Sequence, residues 1–305
     1  MPMYRTVKTD ILEIAYEQTG PEDGTPVILL HGFPDDIRTW DGVAPPLAAA
    51  GFRVIVPWLR GYGPTRFIDP ATPRSGQQAA LGADLLALMD ALGIGQALLA
   101  GYDWGGRAAC IVAALWPERV LGLVTINGYN IQNIPTCEIP AGAEQEQRHW
   151  YQWYFNTERG RNGLASNRDG ICRLLWKLWS PNWRFDDATY ARTGESFKNP
   201  DFVDVVIQSY RHRHRAAPGD PALETIEASL ERQPPIPVPV IVLHGLEDGV
   251  GPPSLEDREA HHFTGQYYLR ELVPVAGHFL PRETPQKVVD AIQTLANFDG
   301  FLVPE

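Results

Sequence analysis

The chain is short of several features, and each shortage narrows its role. No apolar run reaches the roughly 18 residues needed to cross a bilayer, so no membrane-spanning helix is expected. The opening MPMYRTVKTD lacks the basic-then-apolar order of a secretory signal peptide. Cysteine is scarce: Cys110, Cys137 and Cys172 are odd in number, far apart and without CxxC spacing. They read as reduced thiols, and the expected compartment is the cytoplasm. Cations are in deficit, with 26 Lys and Arg against 37 Asp and Glu, a net charge of -11. Neither nucleic acid nor an anionic membrane is therefore expected as the main partner. A small anionic substrate stays open, because it would feel the local field of a pocket. There is no GxGxxG, P-loop or HExxH, so no metal or organic cofactor is expected. Internal repeats and low-complexity segments are missing too.

What is present is ordinary globular material, 44% apolar and 21% charged over 305 residues, enough for one large domain with or without an insertion. Short apolar runs at 27–30, 52–56, 97–100 and 120–126 read as strands buried on both faces. Between them, 77–92 and 107–115 carry apolar residues at helical spacing. Strand-helix alternation of this kind implies an α/β fold with a mostly parallel sheet and helices on both faces. The stretch 129–232 differs: it holds Trp150, Trp153, Trp176, Trp179 and Trp183 and no comparable apolar run, so it reads as a helical insertion. Strands resume at 240–243 and 267–273, and 286–296 reads as a closing helix. The expected organisation is a core of 1–128 and 233–305 with a helical cap of 129–232.

The strongest local signal is Gly101-Tyr102-Asp103-Trp104-Gly105-Gly106 between a strand and a helix. A sharp strand-to-helix turn needs small flanking residues, lifts its central side chain above the sheet edge and sets it at a helix N-terminus. The residue so placed is Asp103, and no serine has that context; the bland alternative is a helix cap. The backbone N–H of Trp104 and that of Phe33, in His31-Gly32-Phe33-Pro34, are the expected oxyanion donors. His278, after the last strand, is the expected general base. Asp248 is the group expected to orient it, with Glu247 as competitor.

These residues resemble the α/β-hydrolase superfamily, in particular its Asp-nucleophile branch of epoxide hydrolases, haloalkane dehalogenases and haloacid-type dehalogenases. The resemblance rests on His31 to Pro34, Arg60-Gly61-Tyr62-Gly63, Gly101 to Gly106, Asp248 and His278 in that order, and covers nearly the whole chain. It implies an α/β-hydrolase fold with a helical cap, a small-molecule substrate and no cofactor. Within the cap, Tyr151-Gln152-Trp153-Tyr154-Phe155 and Ser209-Tyr210-Arg211 are similar to the stretches with which epoxide hydrolases supply two ring-opening tyrosines. The resemblance thus nominates Tyr151 and Tyr210, with Tyr154 as a substitute for the former, against a plain packing role.

Dehalogenases require halide donors instead. Trp104 could supply one, but Phe33 has no side-chain donor where haloalkane dehalogenases carry the second. Fluoroacetate-type enzymes are similar at Trp153, Tyr154 and Arg107, yet here Trp104 replaces an arginine and Gln152 replaces a halide-binding histidine. Trp104, Arg107, Gln152, Trp153 and Tyr154 are accordingly the expected substrate contacts. Arg107 could clamp a substrate carboxylate or pair with an acidic core residue. Arg211-His212-Arg213-His214-Arg215 reads as a solvated face. The readings, in order, are an epoxide hydrolase, a dehalogenase with the same nucleophile, and a hydrolase-fold ligand-binding protein; oligomeric state is not legible.

Overall fold

Nine strands form one sheet: β1 Arg5–Lys8, β2 Leu12–Thr19, β3 Pro26–Leu30, β4 Arg53–Pro57, β5 Arg66–Phe67, β6 Ala97–Tyr102, β7 Val120–Ile126, β8 Val240–Gly245 and β9 Tyr268–Val273. They are seen in a computed structural model that describes residues 4–298, so the outermost ends of the expected core, 1–3 and 299–305, lie outside the described residues. The order across the sheet is β1-β2-β4-β3-β6-β7-β8-β9, with β5 paired to β2. From β4 to β9 every neighbouring pair is parallel, while β1, β2 and β5 make an antiparallel edge.

The parallel strands are the apolar runs of the sequence. Every residue of β6 and β8 is buried, as are Val27 to Leu30 of β3, because helices cover both faces. On one face α1 Ala44–Ala49 packs with the C-terminal α12 Pro285–Ala296. On the other, α2 Gln78–Ala91 packs on α3 Asp103–Leu115. The observed ends of these elements differ from the expected ones by a few residues. The larger difference is at the N-terminus, where β1, β2 and β5 were not expected. Their residues mix polar and apolar groups (Leu12 to Thr19 reads LEIAYEQT), since an antiparallel edge exposes one face to water. The helix after β6 begins at Asp103 itself, four residues earlier than its apolar periodicity suggests.

Between β7 and β8 the described residues form helices and no strand: α4 Ala143–Arg148, α5 Trp150–Phe155, α6 Glu158–Ser166, α7 Arg168–Trp179, α8 Asp187–Gly194, α9 Phe202–Arg213 and α10 Glu224–Leu230. Their aromatic residues are core, with Phe155, Trp176, Trp179, Phe197 and Phe202 fully buried. Polar contacts tie this layer to the sheet domain. The Trp176 indole donates to the Pro34 carbonyl at 2.7 Å and the Trp58 indole to the Ser196 hydroxyl at 3.0 Å. β3 lies between β4 and β6, so the chain turns one way after β3 and the other way after β4. Such a reversal opens a crevice at the carboxyl ends of the strands, here those of β3 and β6. A short 4-residue helix, α11 Leu280–Glu283, follows the loop that carries His278.

Candidate active site

The crevice is built around a turn with no spare room. A Cβ added at Gly105 would lie 2.1 Å from the Leu30 carbonyl oxygen, and one at Gly32 would lie 2.6 Å from the Asp103 Cβ. Glycine at these two positions lets the β3 loop touch the turn after β6. Asp103 itself has φ 50, in the left-handed region that disfavours any residue with a Cβ by about 1–2 kcal/mol. That backbone stands the carboxylate at the first position of α3, over the dipole's positive end. The Phe33 N–H donates to Asp103 Oδ1 at 2.8 Å. The Trp104 N–H is in the first turn of the helix, where backbone donors have no intrahelical acceptor.

His278 lies on the loop after β9 and is buried. Its Nδ1 is 3.0 Å from Asp248 Oδ2 and its Nε2 is 3.9 Å from Asp103 Oδ2. A carboxylate can only accept, so Nδ1 carries the proton and Nε2 presents a lone pair toward Asp103. Nε2 has no hydrogen-bond partner among the described residues. Asp248, after β8, is buried and accepts from Val250 N at 2.7 Å and from the Asn127 side-chain amide at 2.6 Å. The competing Glu247 points elsewhere, toward the Asn182 side chain at the surface. Asn127 was missed by sequence reasoning; its one signal is an Asn-Gly pair directly after β7.

Burial by itself would push the His278 pKa down. The charge and hydrogen bond of Asp248 and the charge of Asp103 outweigh it and hold the imidazole above its ordinary value. A general base must be unprotonated, so the rate it supports should fall as pH drops through a pKa raised from histidine's ordinary value. Asp248→Asn removes the largest of the raising influences. The acid limb of the rate profile should then move to lower pH, with a slower plateau; a limb that does not move would mean that His278 is not the titrating group.

His31 has a different fate. Its Nε2 accepts from Leu59 N at 3.1 Å and its Nδ1 faces the Gly32 carbonyl at 3.1 Å, so both ring nitrogens are occupied in holding two loops together. Full burial lowers its pKa to about 4 and keeps it neutral.

Two tyrosines from the helical layer meet above the turn. The Tyr151 and Tyr210 rings are perpendicular with centroids 5.5 Å apart. Tyr210 also packs on Phe33, whose N–H holds the Asp103 carboxylate, at 5.6 Å and on Trp104, the residue after it, at 6.3 Å. Burial raises both phenols; the Arg213 charge and the Gln152 hydrogen bond work against it at Tyr151 without cancelling it, and the Asp103 charge adds to it at both, so both are protonated donors at neutral pH. The buried Gln152 bridges Tyr151 and the end of α9: its Nε2 is 3.1 Å from the Tyr151 hydroxyl and its Oε1 is 3.0 Å from His214 Nε2. With the amide donating to Tyr151, the phenolic proton is free to point elsewhere.

The remaining expected contacts are placed differently. Trp153 is 42% exposed and its indole donates to Glu146, so it belongs to the rim. Tyr154 packs against Trp150 and Phe155. Of the run 211–215, Arg211 pairs with Glu158 at 2.8 Å, but His212 and His214 are partly buried, with pKa values pushed down by that burial. The solvated-face reading therefore fails for the histidines, because the chain leaves α9 at Arg213 and folds back over the helix. Arg107 is buried and has no ion pair among the described residues, so the acidic core partner considered for it is not there.

Comparison with known proteins agrees with this architecture. The family model of the alpha/beta hydrolase fold matches residues 25–283. The crystal structure of a candidate epoxide hydrolase from Klebsiella pneumoniae superposes with a TM-score of 0.94 at 44% identity, over 96% of each chain. Epoxide hydrolase A of Mycobacterium tuberculosis is 28% identical over 95% of this chain and 96% of its own length. Epoxide hydrolase 3 of Siraitia grosvenorii is 38% identical, but the match spans only 36% of that protein and 41% of this one. The shared part in that case is less than half of either chain.

Proposed function

This chain belongs to the alpha/beta hydrolase family and is an epoxide hydrolase-like hydrolase, and from that premise we propose that it opens a small organic epoxide to a vicinal diol through an ester on Asp103. Residues 129–232 act as the cap and 1–128 with 233–305 as the core. The observation that carries the reading is the pair Tyr151 and Tyr210 above Asp103: two protonated phenols over a carboxylate suit a leaving group that departs as an alkoxide.

Asp103 Oδ2, the oxygen not held by Phe33, attacks a ring carbon; the carbon–oxygen bond breaks and the oxygen takes a proton from a tyrosine. His278 Nε2 then removes a proton from water, and the resulting hydroxide adds to the ester carbonyl of Asp103. The oxyanion forms at Oδ1, which already accepts from Phe33 N, with Trp104 N–H as the second donor. Collapse breaks the bond to the ester oxygen; the departing alkoxide takes the proton of the added hydroxyl, which gives the diol and restores the Asp103 carboxylate, and the proton held by His278 returns to the tyrosinate through solvent. Each group is needed once, and no cofactor enters.

Tyr210→Phe tests the assignment. The rate of ester formation should fall about 10²-fold or more, as for loss of a general acid, while ester hydrolysis in single-turnover experiments changes little. An equal fall in both steps would make Tyr210 a packing residue and remove the main support for an epoxide. Dehalogenation is the second reading and is favoured only by Trp104, which directly follows the nucleophile and whose ring packs on Phe33 and Tyr210.

A further inference from the structure

A helix leaves the carbonyls of its last turn without intrahelical partners, and buried ones must be met by other donors. In α7 that turn ends at Trp179, whose carbonyl oxygen accepts from two backbone N–H groups at once, Gly249 at 2.9 Å and His278 at 3.1 Å. Gly249 directly follows Asp248, so one carbonyl of the helical layer holds both the loop of the base and the loop of the residue that orients it. The Trp179 ring packs edge-on against the His278 imidazole at 5.0 Å and lies 4.9 Å from the Tyr151 ring.

The next residue repeats the hold through its side chain. The buried Ser180 hydroxyl accepts from Phe279 N at 3.1 Å and donates its own proton to Glu283 Oε1 at 2.7 Å. Glu283, on α11, also takes the Gly277 N–H between its two oxygens, at 3.0 and 3.1 Å. His278 is thus flanked on both sides, at Gly277 and at Phe279, by bonds that meet at Ser180 and Glu283. The fit leaves no room: a Cβ added at Gly277 would lie 2.6 Å from the Ser180 hydroxyl oxygen and 2.7 Å from the Ser180 Cα. Neither side chain takes part in the ester chemistry described above.

We infer that Ser180 and Glu283 are positioning residues, through which the end of α7 sets where His278 stands for hydrolysis of the ester. The inference rests on the roles proposed for Asp103 and His278. Position matters because the Nε2 lone pair must reach a water beside the Asp103 carbonyl, and a misplacement of about 1 Å can cost about 10²-fold. Ester formation has no such need, since it uses Asp103 and the two tyrosines. The helical layer that carries Tyr151 and Tyr210 therefore also holds the base, and both half-reactions depend on how that layer is seated. Glu283 acts on His278 by charge as well. Against the lowering effect of burial, Asp248, Asp103 and then Glu283 raise the imidazole's pKa, and Glu283 adds less than the other two.

The test times the two half-reactions separately in single turnovers of styrene oxide or of 1,2-dibromoethane, which esterifies a carboxylate by losing bromide. Intact-protein mass spectrometry after quenching reads the ester. In Ser180→Ala, ester hydrolysis should slow about 10-fold or more while ester formation stays within about 2-fold of the wild type. Glu283→Ala should show the same split. Glu283→Gln, which keeps an acceptor for Ser180 and Gly277, should recover most of the lost rate, with the acid limb moved to lower pH. An equal fall in both steps, or no fall in either, overturns the inference. Two measurements on the free protein separate it from the epoxide reading. Exchange of the 277–279 amides should quicken about 10-fold in Ser180→Ala with the sheet unchanged, and an NMR titration should show a lower His278 pKa in Glu283→Gln. If both changes appear and neither compound forms an ester, the hold on His278 stands and the epoxide reading falls. If styrene oxide turns over through an ester and neither change appears, the epoxide reading stands and the positioning role falls.

Discussion

Replacing Asp103 by asparagine should lower turnover by about 10⁴-fold or more, the loss seen when a member of a nucleophilic triad is removed. Asparagine is the informative choice because of the backbone. Asp103 has φ 50, a region that asparagine tolerates and alanine does not, so Asp103→Ala should lose activity and also about 1 kcal/mol of stability. The expected pair of results is an inactive Asp103→Asn that melts close to the wild type and an inactive Asp103→Ala that melts a few degrees lower. Turnover and thermal denaturation measured on the same samples would show it. An active Asp103→Asn that does not revert to aspartate on standing would remove Asp103 from the mechanism, and the carboxylate would then be only the cap of α3.

Replacing His278 by glutamine should stop the second half-reaction while leaving the first. Glutamine keeps a polar group of similar reach, yet it cannot take a proton from water, so the ester on Asp103 should accumulate instead of turning over. Steady-state turnover should fall about 10³-fold or more, with one equivalent of substrate held on the protein. Intact-protein mass spectrometry after exposure to epoxides, haloalkanes and haloacids would read the adduct. A gain equal to the whole epoxide, mapped to Asp103, is the expected result. A gain of substrate less hydrogen halide would replace the epoxide with a halide leaving group and keep the nucleophile. No adduct from any of the three classes would sink covalent chemistry at Asp103 and leave a ligand-binding protein.

Both predictions concern residues that could be read from the chain before any coordinates. Asp103 was legible because a residue between Tyr102 and Trp104, flanked by Gly101, Gly105 and Gly106, can only be a tight strand-to-helix turn. Asp248 was legible because it follows the buried apolar run of β8, and His278 because it follows the last strand on a glycine-loosened loop; in a parallel sheet such strands end at the same edge. The antiparallel strands β1 and β2 were not legible, since their half-exposed residues leave no continuous apolar signal. Asn127 was missed for a related reason. A single hydrogen bond donated by its side-chain amide to Asp248 across 121 positions of sequence leaves no local trace.

The sequence by itself therefore determined the class of fold, the strand-to-helix turn and the chain order of nucleophile, acid and base, because these follow from local periodicity and from the small residues that a strained turn demands. Only the tertiary structure decided which members of the aromatic layer meet the nucleophile, that Asp248 and not Glu247 faces His278, and that Arg107 is buried without an ion pair among the described residues. Those outcomes depend on how helices from distant stretches pack together. Packing turns on which faces are brought into contact, and a residue's face is known to its neighbours in space long before it is visible to its neighbours in the chain.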